Sequence, residues 1–242
     1  MIHGPQRGLF DLEFQIPAEC ADRLAAGQAD IGIVPAFELV RQDLEVVPGV
    51  GIACHGPVRS IILASSRPLT EVRTLAADSS SRTSVQLARI ILERRYGVSP
   101  VIRTLPPDLD IMLKNADAAL LIGDPALRVY LARHSQCMYD LGEEWFEMTG
   151  LPMVFAVWAG RRGVVTPEIA AAFRESCRYG RERIEEIVPL ESAKRGFAPE
   201  VVREYLTRNI VHELSARDYQ GMDLFLQYAR SVTGAHARST RG

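Results

Sequence analysis

The stretch from Val72 to Gly97 limits the fold more than any other. An apolar run, Val72 to Ala77, reads as a short strand, and it meets a polar heptad, Asp78-Ser79-Ser80-Ser81-Arg82-Thr83-Ser84. Val85, Ala88, Ile91 and Leu92 then recur at helical spacing on one face, and Gly97 is placed to close the helix. A short strand feeding an amphipathic helix through a tight turn is the repeating unit of α/β architecture. The polar heptad therefore falls at a helix N-terminus, where backbone N–H groups lack intrahelical partners and the helix dipole adds partial positive charge. Ser and Asp are ordinary caps, but one cap uses one hydroxyl, and four serines with a threonine exceed that need. With Arg82 adding a planar fork of donors, the turn suits a carboxylate or a phosphate.

The elements around it repeat the pattern. Leu9–Ile16 alternates like a strand, Pro17–Ala26 reads as a helix with Pro17 in its first turn, and Asp30–Pro35 reads as a short buried strand. That strand-helix-strand order predicts a parallel pair. Ala36–Gln42 is a short helix, and strands are predicted over Leu44–Cys54 and Val58–Ala64. After the helix that ends at Gly97 come a strand (Pro100–Leu105), a helix (Leu109–Lys114), a buried strand (Ala118–Ile122) ending in Gly123-Asp124, and a helix (Ala126–Arg133). Asp140–Thr149 is a polar helix or loop, and Leu151–Ala159 is an apolar strand. From Pro167 onward the pattern is helical, with Thr166 as a cap, and the tail Ala235–Gly242 is expected to be disordered.

This order predicts two α/β lobes, 1–66 plus 152–242 and 67–151, with a cleft between them. Ligands of such folds sit at strand carboxyl ends and helix N-termini. Three turns are expected to face the cleft: Pro35-Ala36, Ser79 to Ser84, and Gly123-Asp124.

Composition narrows the function. A net charge of −2 over 242 residues gives no general attraction to nucleic acid or anionic membrane. No apolar run approaches the roughly 20 residues that span a bilayer. Met1–Arg7 lacks an apolar signal core, which predicts a cytoplasmic protein. Four widely spaced cysteines and five scattered histidines predict neither disulfides nor a metal site.

The segments GPVRSIIL (56–63), DSSSRTSVQLARIILERRYG (78–97), DAALLIGDPAL (117–127) and LGEEWFEMTGLPMVFAVWA (141–159) resemble the chorismate dehydratase family of menaquinone biosynthesis, in the futalosine route. The resemblance covers most of Pro17 to Ala159. It implies an α/β, two-lobed, periplasmic-binding-protein-like (type 2) fold in a cytoplasmic enzyme that eliminates water from chorismate to give 3-[(1-carboxyvinyl)oxy]benzoate. The family usually opens with a strand and turn close to Ser-Tyr-Leu-Asn-Thr-x-Pro-Leu, whose asparagine is tied to catalysis. Met1-Ile2-His3-Gly4 has no such segment. The expectation is a start assigned too late or a fragment, with activity then in question.

Chorismate carries two carboxylates, an acidic ring C3–H and a hydroxyl at C4. Losing the proton and the hydroxyl yields an aromatic ring, so the chemistry calls for a base, a donor and exclusion of water rather than a cofactor. Ser79, Ser80, Arg82, Thr83 and Ser84 are the expected carboxylate holders, with Ser81 assisting proton transfer. Arg82 is equally suited to an interlobe ion pair. Asp124 is a candidate base and also fits as a helix cap. Pro35, Ala36 and Gly123 are expected to offer backbone groups to the ligand. Arg59 is read as a hinge anchor, Glu38 and Glu144 as solvated helix charges, and Trp145 and Trp158 as packing. Cys54-His55 is read as a loop pair lacking a third catalytic group. Two rivals stand: a binding or sensor protein for a small aromatic or dicarboxylic acid, and the sister 1,4-dihydroxy-6-naphthoate synthase.

Overall fold

The computed structural model describes residues 1–78, 82–132 and 137–239, the last seven in backbone only. Ser79, Ser80 and Ser81 lie outside the described residues. The chain builds two sheets. The first takes β1 (Ile31–Pro35), β2 (Leu44–Cys54), β8 (Met153–Arg161) and β9 (Val211–Glu213) in the order β1-β8-β2-β9, all antiparallel. The second takes β3 (Ile61–Ser65), β4 (Thr74–Ala77), β5 (Val101–Thr104), β6 (Ala118–Ile122) and β7 (Cys137–Asp140) in the order β5-β4-β6-β3-β7. Here β4 runs parallel to β5 and β6, while β3 is antiparallel to β6 and β7.

Helices flank both sheets: α1 (Pro17–Ala25), α2 (Glu38–Arg41), α3 (Arg82–Tyr96), α4 (Leu109–Asn115), α5 (Asp124–Ala132), α6 (Leu141–Thr149), α7 (Pro167–Glu182), α8 (Ile184–Arg195), α9 (Pro199–Glu204) and α10 (Ala216–Ser239). One buried apolar cluster runs through both sheets, from Val34 and Phe155 to Leu75 and Leu120, and includes the fully buried Trp145 and Phe225. Trp145 is fully buried, stacks edge-on against Phe225 at 6.2 Å, and donates its indole N–H to the Pro152 carbonyl at 3.0 Å. Trp158 packs on Phe173 at 5.0 Å, so both tryptophans serve packing.

Several expectations are corrected. Leu9–Ile16 forms no strand; Leu9 and Phe14 are 65% and 75% exposed. Alternation makes a strand only where a neighbour takes up the backbone groups, and β1 pairs with β8 alone, antiparallel. The expected parallel pair in the first sheet is therefore absent among the described residues. Ile61–Ser65, expected in the first lobe with 1–66, is hydrogen-bonded between β6 and β7 of the second sheet, buried on both faces. A strand buried on both faces reads only as apolar and gives no sign of which sheet it joins. Two short strands, β7 and β9, escape detection because three or four residues carry no period. Of the expected disordered tail, 235–239 continues α10 as helix, and 240–242 lie outside the described residues.

The first residues of α10 are tied to the end of β2. The Asp218 carboxylate is fully buried, accepts from Ser215 N at 2.8 Å and Ser215 Oγ at 2.6 Å, and lies 2.8 Å from His55 Nε2. Burial opposes its charge, but the Ser215 and His55 bonds outweigh burial and hold the carboxyl below its ordinary value. A folded-state pKa below the unfolded one stabilises above the unfolded value, near 4, and that stability is lost as pH falls through the folded value. Urea unfolding of the wild type should therefore weaken between about pH 5 and 3 more steeply than that of Asp218→Asn; parallel pH slopes would remove this assignment.

Close backbone approach fixes where α10 lies. A Cβ added at Gly221 would sit 2.0 Å from the Pro152 carbonyl oxygen, a backbone atom with little room to yield. Alanine favours a helix over glycine by about 1 kcal/mol, but the clash runs against it. Gly221→Ala should destabilise by about 2–3 kcal/mol in urea unfolding, and a neutral or stabilising outcome would show that α10 is not seated so tightly.

Candidate active site

The carboxyl ends of β1, β4 and β6 converge where the two sheets meet. At the end of β1, Pro35 and Ala36 are buried, and Ala36 N donates to the Phe155 carbonyl of β8 at 2.9 Å. The next N–H, that of Phe37, donates to Thr83 Oγ1 in the first turn of α3 at 3.1 Å, in a buried setting. Ala36 and Thr83, predicted from separate stretches, are thus brought together across the two sheets. Thr83 and Ser84 are both fully buried.

Arg82 sits one residue earlier, at the start of α3. Its Nη2 bonds both carboxylate oxygens of Asp22 on α1 at 2.9 Å, and its Nη1 bonds Glu38 Oε1 on α2 at 2.9 Å. Burial disfavours the guanidinium charge, yet the Glu38 and Asp22 bonds prevail and raise its pKa. Of the two roles open to Arg82, the structure displays the ion pair, which ties α3 to α1 and α2. Glu38 corrects an expectation: it is fully buried, not solvated, and also accepts from Arg41 at 2.9 Å and from Gln42 at 2.9 Å. A four-residue helix has no exposed face to predict when both of its flanks are covered. Glu144 is likewise buried, accepting from Tyr96 OH at 2.8 Å.

The other corner lies at the end of β6. Gly123 adopts a φ of 71°, which lets the strand turn directly into α5, and its N–H donates to the Ser60 carbonyl at 2.7 Å. Asp124, first in α5, accepts from Arg195 of α8 at 2.9 Å and is 40% exposed at its side chain. Gly123 and Asp124 lie on the second sheet at a strand end, as Arg82, Thr83 and Ser84 do.

Sequence reasoning missed four residues here. Ser60 Oγ lies 2.8 Å from Tyr205 OH, and Tyr205 opens a single π-turn, Tyr205–Asn209, after α9. Such turns are frequent at functional sites. Burial pushes the Tyr205 phenol above its ordinary value, against the Ser60 bond, with the Asp124 carboxylate adding to the rise. It therefore remains a proton donor at neutral pH. Asn209 closes the turn and donates to the Pro57 carbonyl at 3.1 Å. Asp140, the N-cap of α6, accepts from Val58 N at 3.0 Å, Arg59 N at 2.6 Å and Gly142 N at 2.9 Å. Burial raises the Asp140 pKa, opposed by these four-way backbone contacts with Val58, Arg59, Glu143 and Gly142. The one legible signal was Asp140 before a polar helical run, a capping pattern; the π-turn has no sequence signature.

Arg59 is held at φ 62°, the left-handed region that long side chains rarely adopt, at a cost of about 1–3 kcal/mol. It precedes β3 rather than lying in it, and its Nη2 bonds Glu204 at 2.9 Å. Cys54 is fully buried and its thiol is pushed up to about 12 by burial, so it is no nucleophile, although Asp218 does supply a third group beside His55. Among the described residues no His, Cys, Asp or Glu cluster could hold a metal, and no helix is long and apolar enough to cross a membrane.

The Arg82–Glu38 contact is testable by a double-mutant cycle. Arg82→Gln should cost about 1–2 kcal/mol in urea unfolding, less than a fully buried pair because Arg82 is partly exposed. In a Glu38→Gln background the same change should cost far less, since no buried charge is then stranded. Equal costs in the two backgrounds would show that no coupling joins these residues.

The profile of a family described as menaquinone biosynthesis matches residues 4–231. The chain is 31% identical to a chorismate dehydratase of Thermus thermophilus over 88% of this chain and 84% of that protein. It is 24% identical to a chorismate dehydratase of Campylobacter jejuni over 90% of this chain and 82% of that protein. In structure it resembles the periplasmic aliphatic sulphonate binding protein SsuA from Escherichia coli, with a TM-score of 0.64 and 17% identity over 93% of this chain and 77% of that one. At that identity the likeness is one of fold, the two-lobed periplasmic-binding-protein fold.

Proposed function

This chain belongs to the menaquinone biosynthesis family, and from that premise we propose that it is a chorismate dehydratase acting in the cytoplasm. The observation that carries the proposal is the 31% identity to a chorismate dehydratase over 84% of that protein's length. The reaction is a carbon–oxygen elimination: the ring C3–H bond breaks as a base takes the proton, the C4–O bond breaks, and the hydroxyl leaves as water. The product is 3-[(1-carboxyvinyl)oxy]benzoate, and its aromaticity drives the step.

We take the lobes as 1–66 with 152–242 and 67–151, adjusted so that Ile61–Ser65 goes with the second. The substrate then lies between the Pro35-Ala36 turn, the 79–84 turn and the Gly123-Asp124 turn. Ser79, Ser80, Thr83 and Ser84 are assigned to one carboxylate at the N-terminus of α3, where backbone N–H groups and the helix dipole favour an anion, although Thr83 and Ser84 are fully buried in this arrangement and would need the groove to open. Ser81 assists proton transfer. Arg82 acts on the substrate indirectly, by drawing α3 against α1 and α2. Gly123 and Asp124 face the ring from the second lobe, with Asp124 the proton acceptor. Tyr205 is a fitting donor to the departing hydroxyl, because burial keeps its phenol protonated.

Incubating the protein with chorismate should produce the aromatic ultraviolet spectrum of a substituted benzoate. A variant with Ser80, Ser81 and Thr83 all changed to alanine should lose substrate binding. Full binding by that variant would end the carboxylate-holding role of the turn. Absence of aromatic product from the wild type, with chorismate bound unchanged, would favour a binding protein instead.

A further inference from the structure

A second feature lies beside the Ser60–Tyr205 corner. A cavity of about 450 Å³ is lined by Arg59, Tyr130, Leu131 and Met138. This is within the size range of small-molecule sites, about 300–1,000 Å³. Its walls come from one end of the second sheet: Met138 is on the edge strand β7, and Tyr130 and Leu131 are on α5, about 9 Å along the helix from Asp124. We propose that this cavity binds a single-ring aromatic carboxylate at a site separate from the cleft.

Three observations point to that ligand. The first is the guanidinium. Arg59 offers five N–H donors, Glu204 takes one of its Nη groups at 2.9 Å, and its Nε finds no hydrogen-bond acceptor. A carboxylate is the group that such a fork matches best. The second is the wall. The Arg59 guanidinium carbon stands 5.6 Å from the centre of the Tyr130 ring, and among the described residues Leu131 and Met138 add apolar lining. Such a lining suits a flat ring, with the charged end at Arg59 and the ring against Tyr130 and the thioether. The third is the backbone. Arg59 keeps its left-handed φ of 62° because Asp140 binds the N–H groups of Val58 and Arg59, and among the described residues no other non-glycine holds such a φ. Strain of this kind clusters at ligand clamps. Ser60, the next residue, bonds Tyr205 and Gly123 at the candidate active site. A ligand on Arg59 is therefore one peptide away from the cleft wall, which makes the cavity a site from which the cleft can be influenced.

The site does not depend on the dehydratase reaction, and its test reads binding rather than turnover. The chain has six methionines, so methyl-labelled methionine gives a sparse NMR spectrum in which Met138 is assigned by the peak lost in Met138→Leu. Titrating the full-length protein with 3-hydroxybenzoate should shift the Met138 methyl saturably. The affinity read from that peak should fall about tenfold or more in Arg59→Gln, as loss of a charge-assisted hydrogen bond requires. Leu131→Trp, at a position 41% exposed, should fill the cavity and abolish the shift even if Arg59→Gln folds poorly. A Met138 peak that does not move, a shift confined to other methionines, or wild-type affinity in Leu131→Trp would each overturn the proposal.

Discussion

A buried carboxylate joins the two halves of this molecule. Glu38 is fully removed from water, and a charge in that position must be met by hydrogen bonds and a counter-ion. Arg41 and Gln42 come from its own helix, but Arg82 comes from the first turn of α3, across the groove. The same turn sends Thr83 Oγ1 to the Phe37 N–H. A buried backbone donor without a partner costs about 1–3 kcal/mol. The end of β1 and the start of α3 are thus bound to each other by two requirements at once, one of charge and one of backbone satisfaction. This closure brings Thr83, in the first turn of α3, against the chain that follows Pro35 and Ala36.

The opposite side of the groove is held differently. There the C-terminal helices reach over the second sheet: Arg195 meets Asp124, Glu204 meets Arg59, Tyr205 meets Ser60, and Asn209 meets Pro57. Under these polar contacts a small apolar cluster joins Leu127 of α5 to Val188, Phe197 and Val202. Most of the ion pairs here are exposed and individually weak. The apolar cluster and the part-buried Ser60–Tyr205 bond supply most of the attachment. Chain 184–209 therefore covers the N-terminus of α5 and completes a corner that residues 61–140 alone leave open.

Much of the architecture is legible in the order of residues. The strand-turn-helix of 74–96, the helix opened by Thr166 and Pro167, and the buried strands of 118–122 and 153–161 fall where periodicity and caps place them. Failures came where local pattern has no say. Leu9–Ile16 alternates but has no neighbouring strand, and Ile61–Ser65 is apolar throughout, so its pairing partners leave no mark on it. Glu38 shows the same limit in a side chain, since a carboxylate in a four-residue helix reads as solvated until the helix packed against it is known.

The order of residues alone determined that this chain alternates strands and helices, that a hydroxyl-rich turn opens a helix, and that four separated blocks match one enzyme family. These are properties of spacing and identity within a few turns of chain. Tertiary structure decided which sheet each strand joins, that Arg82 faces Asp22 and Glu38, and that Tyr205 reaches Ser60 from 145 residues away. Such contacts depend on how buried charges and backbone groups far apart in the chain find partners, and no local pattern encodes a partner's address.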